Sequence, residues 1–381
     1  MISVVYIDVV QKENVRLFET NQGSNKMKGE KNMKKYIVIL LCLVMLLGLM
    51  TACASPSPSA SAENPATVPG EASATYVIKL GHACSAKHPY NQGAMRFKEI
   101  VEEKTNGAIT VELYPDSTLG AERDLIEGLQ LGSVEMCIVS TAPLSSYTDQ
   151  FLVFDLPYIF TSKEQARGVV DSEIGQRMFD AMAETSGIIG LAYYENGFRN
   201  FTNAKFAIQS PKDLKGLKIR VMENQIMMAT ITACEGDPTP MAFNELYTAL
   251  QQGTIDGQEN PISQIYDKKM YEVQKYITMS GHFYAPAPLL ISNSFWESLP
   301  AEYQVILQNA AYESRDYMRG RNEEEEAEQI REMVEEHGCE VVYDVDIAAW
   351  QEAMHPVYSQ YVGDGKPISQ ELVDSIVKFQ P

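Results

Sequence analysis

The change of apolar period along residues 75–140 limits the possible folds most. Residues 75–81 alternate as a strand does, and residues 90–104 then carry Ala94, Phe97 and Val101 at helical spacing before stopping at Asn106-Gly107. Ile109, Val111 and Leu113 restore the strand period, residues 119–131 read as a helix, and residues 136–140 read as a short buried strand. The order β-α-β-α-β predicts a parallel sheet with covering helices.

After an apolar loop at residues 151–160, residues 162–185 read as helical and residues 188–194 as a strand. A second α/β unit then begins at Asn196. It holds a strand ending in Arg220, a helix over 224–234, a link carrying Phe243, a helix over 244–252, a strand around Ile255 and a helix after Pro261. In the first of these strands a period of two sends Leu217, Ile219 and Val221 to one face and Lys218 and Arg220 to the other. Arg220 is therefore expected at a strand end, off the buried side. Ligands of open α/β sheets sit beyond the strand carboxyl ends, where a guanidinium offers a planar fork of donors that matches a carboxylate. The reading is that Arg220 grips the acid group of a small solute, held between two lobes.

Residues 300–338 keep an apolar stripe at helical period through Ile306, Leu307, Ala310, Ala311 and Met318, and resume it at Ala327, Ile330 and Val334. A helix of that length is expected to span both lobes, with Gly320 a point of bending. Arg319 and Arg321 precede Glu323 and Glu325 by four residues, so local ion pairs are expected, at about a few tenths of a kcal/mol each. The tail, with Trp350, Tyr358 and Leu372, is expected to be helical and to pack back on the body.

The formal net charge is −20, and residues past 52 hold 24 basic and 47 acidic side chains, or −23. Such a field repels phosphates and argues against nucleic-acid binding. Anion binding must then rest on a few local arginines.

The front of the chain reads as targeting sequence. Met33-Lys34-Lys35 and the apolar residues 36–50 have the architecture of a secretory signal, and Met50-Thr51-Ala52-Cys53 resembles a bacterial lipobox, with Met50 where leucine is more usual. Cys53 is the expected lipidation site; the alternative is a plain membrane span, for which the apolar run is near the lower length limit. Residues 1–32 are read as a misassigned leader ahead of a true start at Met33, because Lys28-Gly29-Glu30 can be encoded by a purine-rich ribosome-binding site. Residues 33–52 form the signal and the Ser-, Pro- and Ala-rich residues 53–74 a flexible tether. Cys84, Cys137, Cys234 and Cys339 follow no disulfide or CxxC pattern and are expected to be unpaired thiols.

Six segments, from residue 105 to 261, carry a family resemblance: Thr105-Asn-Gly107-Ala-Ile, Leu119-Gly120-Ala-Glu122, Gly197-Phe-Arg199-Asn-Phe-Thr-Asn203, Asp213-Leu-Lys-Gly-Leu-Lys-Ile-Arg220-Val, Pro240-Met-Ala-Phe243-Asn-Glu-Leu-Tyr247, and Ala249-Leu-Gln-Gln-Gly253-Thr-Ile-Asp-Gly257-Gln-Glu-Asn260-Pro261. Together they resemble the extracytoplasmic solute-binding component of TRAP (tripartite ATP-independent periplasmic) transporters, the DctP type. The resemblance covers residue 76 to the C-terminus. It implies a two-lobed α/β fold of the periplasmic-binding-protein kind, with a hinge, a cleft between the lobes and a long helix across both. The expected division is 75–196 plus 285–325 for lobe I and 197–284 plus 326–381 for lobe II.

The resemblance also implies roles: Arg220 forms the principal salt bridge to the ligand carboxylate, Arg199 and Asn260 orient it, and Phe243 packs on the ligand. By residue type alone, Arg199 could instead be a structural arginine at the hinge and Asn260 a turn former before Pro261, though its donor amide suits a ligand, while Phe243 between two helices reads as core. Glu223 either faces ligand hydroxyls or repels a second carboxylate. Glu122 is either a partner of its helix N-terminus or a hydroxyl acceptor. The loop at residues 81–90 is expected to line the cleft, with His88 or Lys87 near the solute; His82, Cys84 and His88 lack metal-ligand spacing.

The function expected is capture of a carboxylate-containing organic acid outside the membrane and delivery to the small and large TRAP membrane subunits. The polar candidates favour a sugar acid such as a uronate over a C4-dicarboxylate. No cofactor, metal or ATP site is expected, since the resemblance implies that an ion gradient drives transport. A sensor that binds the same solutes, or a cell-envelope enzyme, are the alternatives; no nucleophile elbow, zincin helix or phosphate loop is present in the sequence.

Overall fold

The computed structural model describes residues 76–380, and the expected leader, signal, Cys53 and tether lie outside the described residues. Among those described, nine strands form one mixed sheet: β1 (Tyr76–Gly81), β2 (Ile109–Tyr114), β3 (Met136–Ile138), β4 (Ile188–Asn203), β5 (Lys218–Val221), β6 (Asp237–Pro240), β7 (Gly257–Asn260), β8 (Tyr276–Ser292) and β9 (Glu340–Val342). Their order is β2-β1-β3-β8-β4-β7-β5-β6, with β9 on β8.

The first lobe is built as the period changes predict. β1 pairs in parallel with β2 and with β3, and the helices Pro89–Lys104 and Glu122–Leu131 make the crossovers. The second lobe repeats the plan, with β5 parallel to β6 and β7. The strand expected around Ile255 begins later, at Gly257, and the expected helix over 244–252 is a 3-10 turn, Phe243–Glu245, leading into Leu246–Gln251. The helix expected over 162–185 is two helices, Lys163–Val170 and Glu173–Ser186. Ser172 starts the second by accepting the Ile174 amide on its side chain.

Two long antiparallel strands join the lobes. β4 does not stop at Tyr194 but runs on through Glu195–Asn203, paired to β8 and then to β7. Their ladder slips between Glu195 and Gly197 and again after Arg199: Arg199 stands opposite Phe283, yet Phe201 stands opposite Thr278, so residues 279–282 bulge out. Gly197 and Gly281 take positive φ at this place, 113° and 52°, a backbone conformation that suits a residue without Cβ.

The helix Ala301–Glu335 is continuous through Gly320 and braces both lobes. Its Leu307, Ala310, Ala311 and Met318 enter the core with β1 and the Pro89–Lys104 helix, while Met333 enters the second-lobe core with Leu246, Ile265 and Ile277. Of the two local ion pairs expected here, Arg321–Glu325 forms at 2.6 Å. Arg319 instead reaches Asp171 at 2.6 and 3.0 Å and the Tyr193 carbonyl at 2.6 Å, and Glu323 pairs with Arg167. Those partners hold the helix to β4 and to the turn between the two preceding helices. The tail is helical as expected, and buried Trp350 lies against Phe201 with ring centroids 5.3 Å apart. All four body cysteines are buried and unpaired.

At Gly257 β7 has no room for a side chain, since a Cβ there would collide with the Thr202 carbonyl oxygen of β4. Gly257→Ala is expected to lower stability by about 1–3 kcal/mol, as overpacking does. Equilibrium urea unfolding measures this, and an unchanged midpoint would disprove the close-approach requirement.

Candidate functional site

Arg220 lies on β5, but both faces of that strand are covered: only Lys218 is exposed, and Arg220 is itself 1% exposed. The expected placement off the buried side is therefore corrected, because the first lobe and Phe243 close over the face that alternation marks as polar. Arg220 donates from Nε and Nη2 to the Met241 carbonyl, at 3.0 and 2.7 Å, while its buried Nη1 has no partner. The Phe243 ring centroid lies 6.0 Å from the guanidinium carbon. Burial, and then the charge of Arg199, lower the Arg220 pKa to about 10, so it remains a cation at neutral pH.

Arg199, on β4, is held by β7. Its Nε donates to Glu259 Oε2 at 2.5 Å, and its Nη2 donates to Glu259 Oε1 at 2.9 Å, the Glu259 carbonyl at 2.7 Å and Asn260 Oδ1 at 3.0 Å. Arg199 and Glu259 are both fully buried. Nη1 of Arg199, like that of Arg220, is buried without a partner. Asn260 donates from Nδ2 to Gln258 Oε1 and pairs in register with Asn200, so it is part of the strand rather than of a turn.

Glu122 and Arg123 form the wall that the first lobe contributes. Glu122 begins its helix, yet Asp124 receives the Ala121 amide at 2.8 Å, while Glu122 Oε1 accepts the Ser140 amide at 2.7 Å. Burial raises the Glu122 pKa, against the Ser140 hydrogen bonds and the charges of Arg220 and Arg199. Arg123 pairs with Glu223 at 3.3 Å across the lobes. Lys268 of the second lobe similarly pairs with Asp116 of the first at 2.7 Å. The lobes are thus nearly shut, with about 20 Å³ free among Glu122, Arg123, Arg220, Glu223 and Phe243. That is too little for an organic acid, so the lobes must part to admit one.

Arg220, Phe243, Glu122 and Glu223 share this cleft, with Arg199 and Asn260 on neighbouring strands. His88 does not join them. It accepts the Tyr90 amide on Nδ1 at 3.1 Å to start the Pro89–Lys104 helix, and together with Lys87 lines a different cavity. His82 and Cys84 bond Asn91 and Gln264. Two further residues bear on this region: Glu259, which fixes Arg199, and Tyr90, whose buried hydroxyl has no partner and feels the charges of Glu122 and Arg199. A tyrosine in the first turn after a strand-end loop was the available signal for Tyr90.

The chain matches the family model described as bacterial extracellular solute-binding protein, family 7 (DctP), over residues 80–364. It is 38% identical over 288 residues to the C4-dicarboxylate-binding periplasmic protein DctP of Rhodobacter capsulatus, covering 74% of this chain and 86% of that one. A TRAP periplasmic solute-binding protein from Polaromonas sp. JS666 bound to D-erythronate superposes with a TM-score of 0.77 at 37% identity, over 80% of this chain and 99% of that one. A second, from Sulfitobacter sp. NAS-14.1 with bound β-D-galacturonate, gives 0.74 at 32% identity, over 79% and 98%.

The ion pair beneath the cleft has a pH signature. Burial alone would raise the Glu259 pKa, but Arg199 and His282 outweigh it and hold it at about 2, below the ordinary 4.5. The stabilisation is therefore complete above about pH 4.5 and is lost as pH falls toward 2. Glu259→Gln is expected to remove that part of the acid limb, and to cost about 3–5 kcal/mol at pH 7 by leaving Arg199 buried without a counter-charge. Urea unfolding of both proteins from pH 3 to 7 tests this, and parallel profiles would contradict it.

Proposed function

The chain belongs to the family 7 bacterial extracellular solute-binding proteins, the DctP type of TRAP transporters, and from that premise we propose that it captures a hydroxylated monocarboxylate of the sugar-acid class and delivers it to the TRAP membrane subunits. The observation that carries this reading is the pair of buried guanidiniums, each with one Nη1 donor unpartnered, in a body of net charge −23. Two desolvated cationic donors favour an anion there, and a carboxylate meets them with charge-assisted hydrogen bonds. Arg220 takes the acid, Arg199 and Asn260 orient it, and Phe243 covers it.

The carboxylates of the cleft support the sugar acid. Glu122 on the first-lobe wall and Glu223 on the second both line it, and Arg123, the cation on the first-lobe wall, is already paired to Glu223. Hydroxyls can donate to such carboxylates, whereas a second carboxylate would meet repulsion. D-Erythronate and β-D-galacturonate in the two similar structures are acids of this kind. Binding rather than catalysis is the role proposed, with closure about the irregular β4–β8 ladder as the signal that the membrane partner reads.

The family places the protein outside the cytoplasm. Among the described residues no helix is long and apolar enough to cross a membrane. We attribute membrane attachment to a lipid on Cys53; Cys53→Ala is expected to move the protein from the membrane to the soluble fraction, and an unchanged distribution would refute the anchor.

A thermal-shift screen of the purified protein against uronates, aldonates, C4-dicarboxylates and neutral sugars tests the ligand. A ligand at a hundred times its dissociation constant adds about 2.7 kcal/mol. Arg220→Ala is expected to weaken the best acid by about 1.5–3 kcal/mol, roughly 10- to 150-fold. A response to neutral sugars alone, or one indifferent to Arg220→Ala, would overturn the carboxylate reading.

A further inference from the structure

The helix Ile262–Asp267 belongs to the second-lobe core, where Ile262 and Ile265 pack with Leu246 and Ile277, yet its last residue reaches the first lobe. Asp267 Oδ2 accepts the Ser85 amide at 3.0 Å, and Oδ1 accepts the Ser85 hydroxyl. Ser85 lies in the loop after β1, and Cys84 beside it is part of the first-lobe core. The residue after Asp267, Lys268, pairs with Asp116 at 2.7 Å, and its ammonium lies 6.0 Å from the centroid of the Phe243 ring. Cys84 and Asp116 are themselves joined, the Asp116 amide donating to the Cys84 carbonyl at 2.7 Å. Two adjacent residues of one lobe therefore meet two linked loops of the other.

Asp267 does not serve its own helix. A carboxylate at a helix C-terminus meets the negative end of the dipole, so the helix gains nothing from it. Its side chain is nevertheless only 5% exposed, and a charge taken out of water needs hydrogen-bond donors, which Ser85 supplies. Ser85 is set to supply them. Its hydroxyl oxygen accepts the Lys87 amide at 3.1 Å and its carbonyl accepts the His88 amide at 3.2 Å, which leaves the hydroxyl proton and the Ser85 amide for Asp267. The other two contacts between the lobes are wetter: the side chains of Lys268 and Asp116 are 24% and 57% exposed, and those of Arg123 and Glu223 45% and 40%. Water competes for both of those pairs. Asp267 is the charge that closing the lobes takes out of water.

We propose that Asp267 is a positioning residue for solute capture: by latching the second lobe to Ser85 it stabilises the shut cleft, and so sets the affinity for an acid that it does not touch. The role rests on the capture by lobe closure that we propose, whichever acid is held. The shut cleft is lined by Glu122, Arg123, Arg220, Glu223 and Phe243, and Asp267 is not on it. When the lobes part, the carboxylate and the Ser85 donors return to water, so the latch is reversible. It favours the closed state by the same amount for every solute, because the apparent affinity of each scales with the population of the binding-competent state. A residue that touches the solute changes selectivity as well as affinity; the latch changes affinity alone.

The test uses Asp267→Asn and Ser85→Ala in the purified protein, with Glu235→Gln, which removes an exposed partner of Lys215, as the control. Small-angle X-ray scattering of the solute-free proteins is expected to give a larger radius of gyration for both latch variants and no change for the control. Calorimetric titration with D-erythronate and with D-galacturonate is expected to show both acids weakened by one common factor. That factor is about tenfold for Asp267→Asn, and smaller for Ser85→Ala, which keeps the amide donor. Ser85→Ala also decides the matter where Asp267→Asn does not fold. An unchanged radius of gyration in the latch variants, or a loss confined to one acid, would overturn the latch. If neither acid binds the unsubstituted protein, the sugar-acid reading fails and the scattering alone decides the latch.

Discussion

The ion pair between Arg199 and Glu259 is the constraint on which the binding cleft depends. Both groups are fully buried, and neither would be tolerated there alone. Their hydrogen bonds, with those to the Glu259 carbonyl and Asn260, fix the guanidinium plane and leave Nη1 as its unused donor. Arg220 is fixed likewise by the Met241 carbonyl. The two guanidiniums are therefore oriented by the protein itself, and in the role proposed for them less side-chain entropy would be lost on binding than with free surface arginines. The same ion pair adds a buried side-chain link to the backbone ladder between β4 and β7, so it bears on both the polarity of the cleft and the second lobe.

The sheet explains how so rigid a site can open. β4 and β8 pass through both lobes, and their ladder is irregular beside Arg199 itself. Bending there would change the angle between lobes and leave the parallel ladders on either side intact. The long helix limits the motion, since its apolar stripe packs into both cores. At the mouth of the cleft, Arg123–Glu223 and Lys268–Asp116 join opposite lobes and include exposed side chains. Such pairs contribute little each in water, about 0–1 kcal/mol. They can therefore hold the lobes together without preventing their release.

Much of this plan was legible in the sequence, because burial leaves a period. The first lobe's strands, its first two helices, the long helix and the strand that carries Arg220 follow from apolar spacing, whereas the burial of Arg220 does not. Glu259 was not legible, since β7 reads Gly-Gln-Glu-Asn and has no apolar residue to alternate, although all four are buried. Only the partner on β4 makes that burial tolerable, and a partner 60 residues away leaves no local pattern. β8 was hidden by Pro286 and Pro288, which argue against a strand when read alone. Its length is instead set by β4, to which it pairs along nearly its whole run. The same long-range control sends Arg319 to Asp171 rather than to the glutamate four residues on.

Electrostatics narrows what such a cleft can hold. A C4-dicarboxylate needs cationic partners at both ends, and the two unpartnered guanidinium donors lie on the second-lobe side, Arg220 on β5 and Arg199 on β4. The cation on the other wall, Arg123, is neutralised by Glu223 and exposed to water, which weakens its pull further. Glu122 adds a carboxylate whose Oε1 is occupied by the Ser140 amide. A dianion would have to displace Glu223 from Arg123 before gaining from it, whereas a hydroxyl can donate to either glutamate without breaking the pair. Under the sugar-acid reading we propose, the difference between the two solutes is thus a difference in what the protein would have to give up.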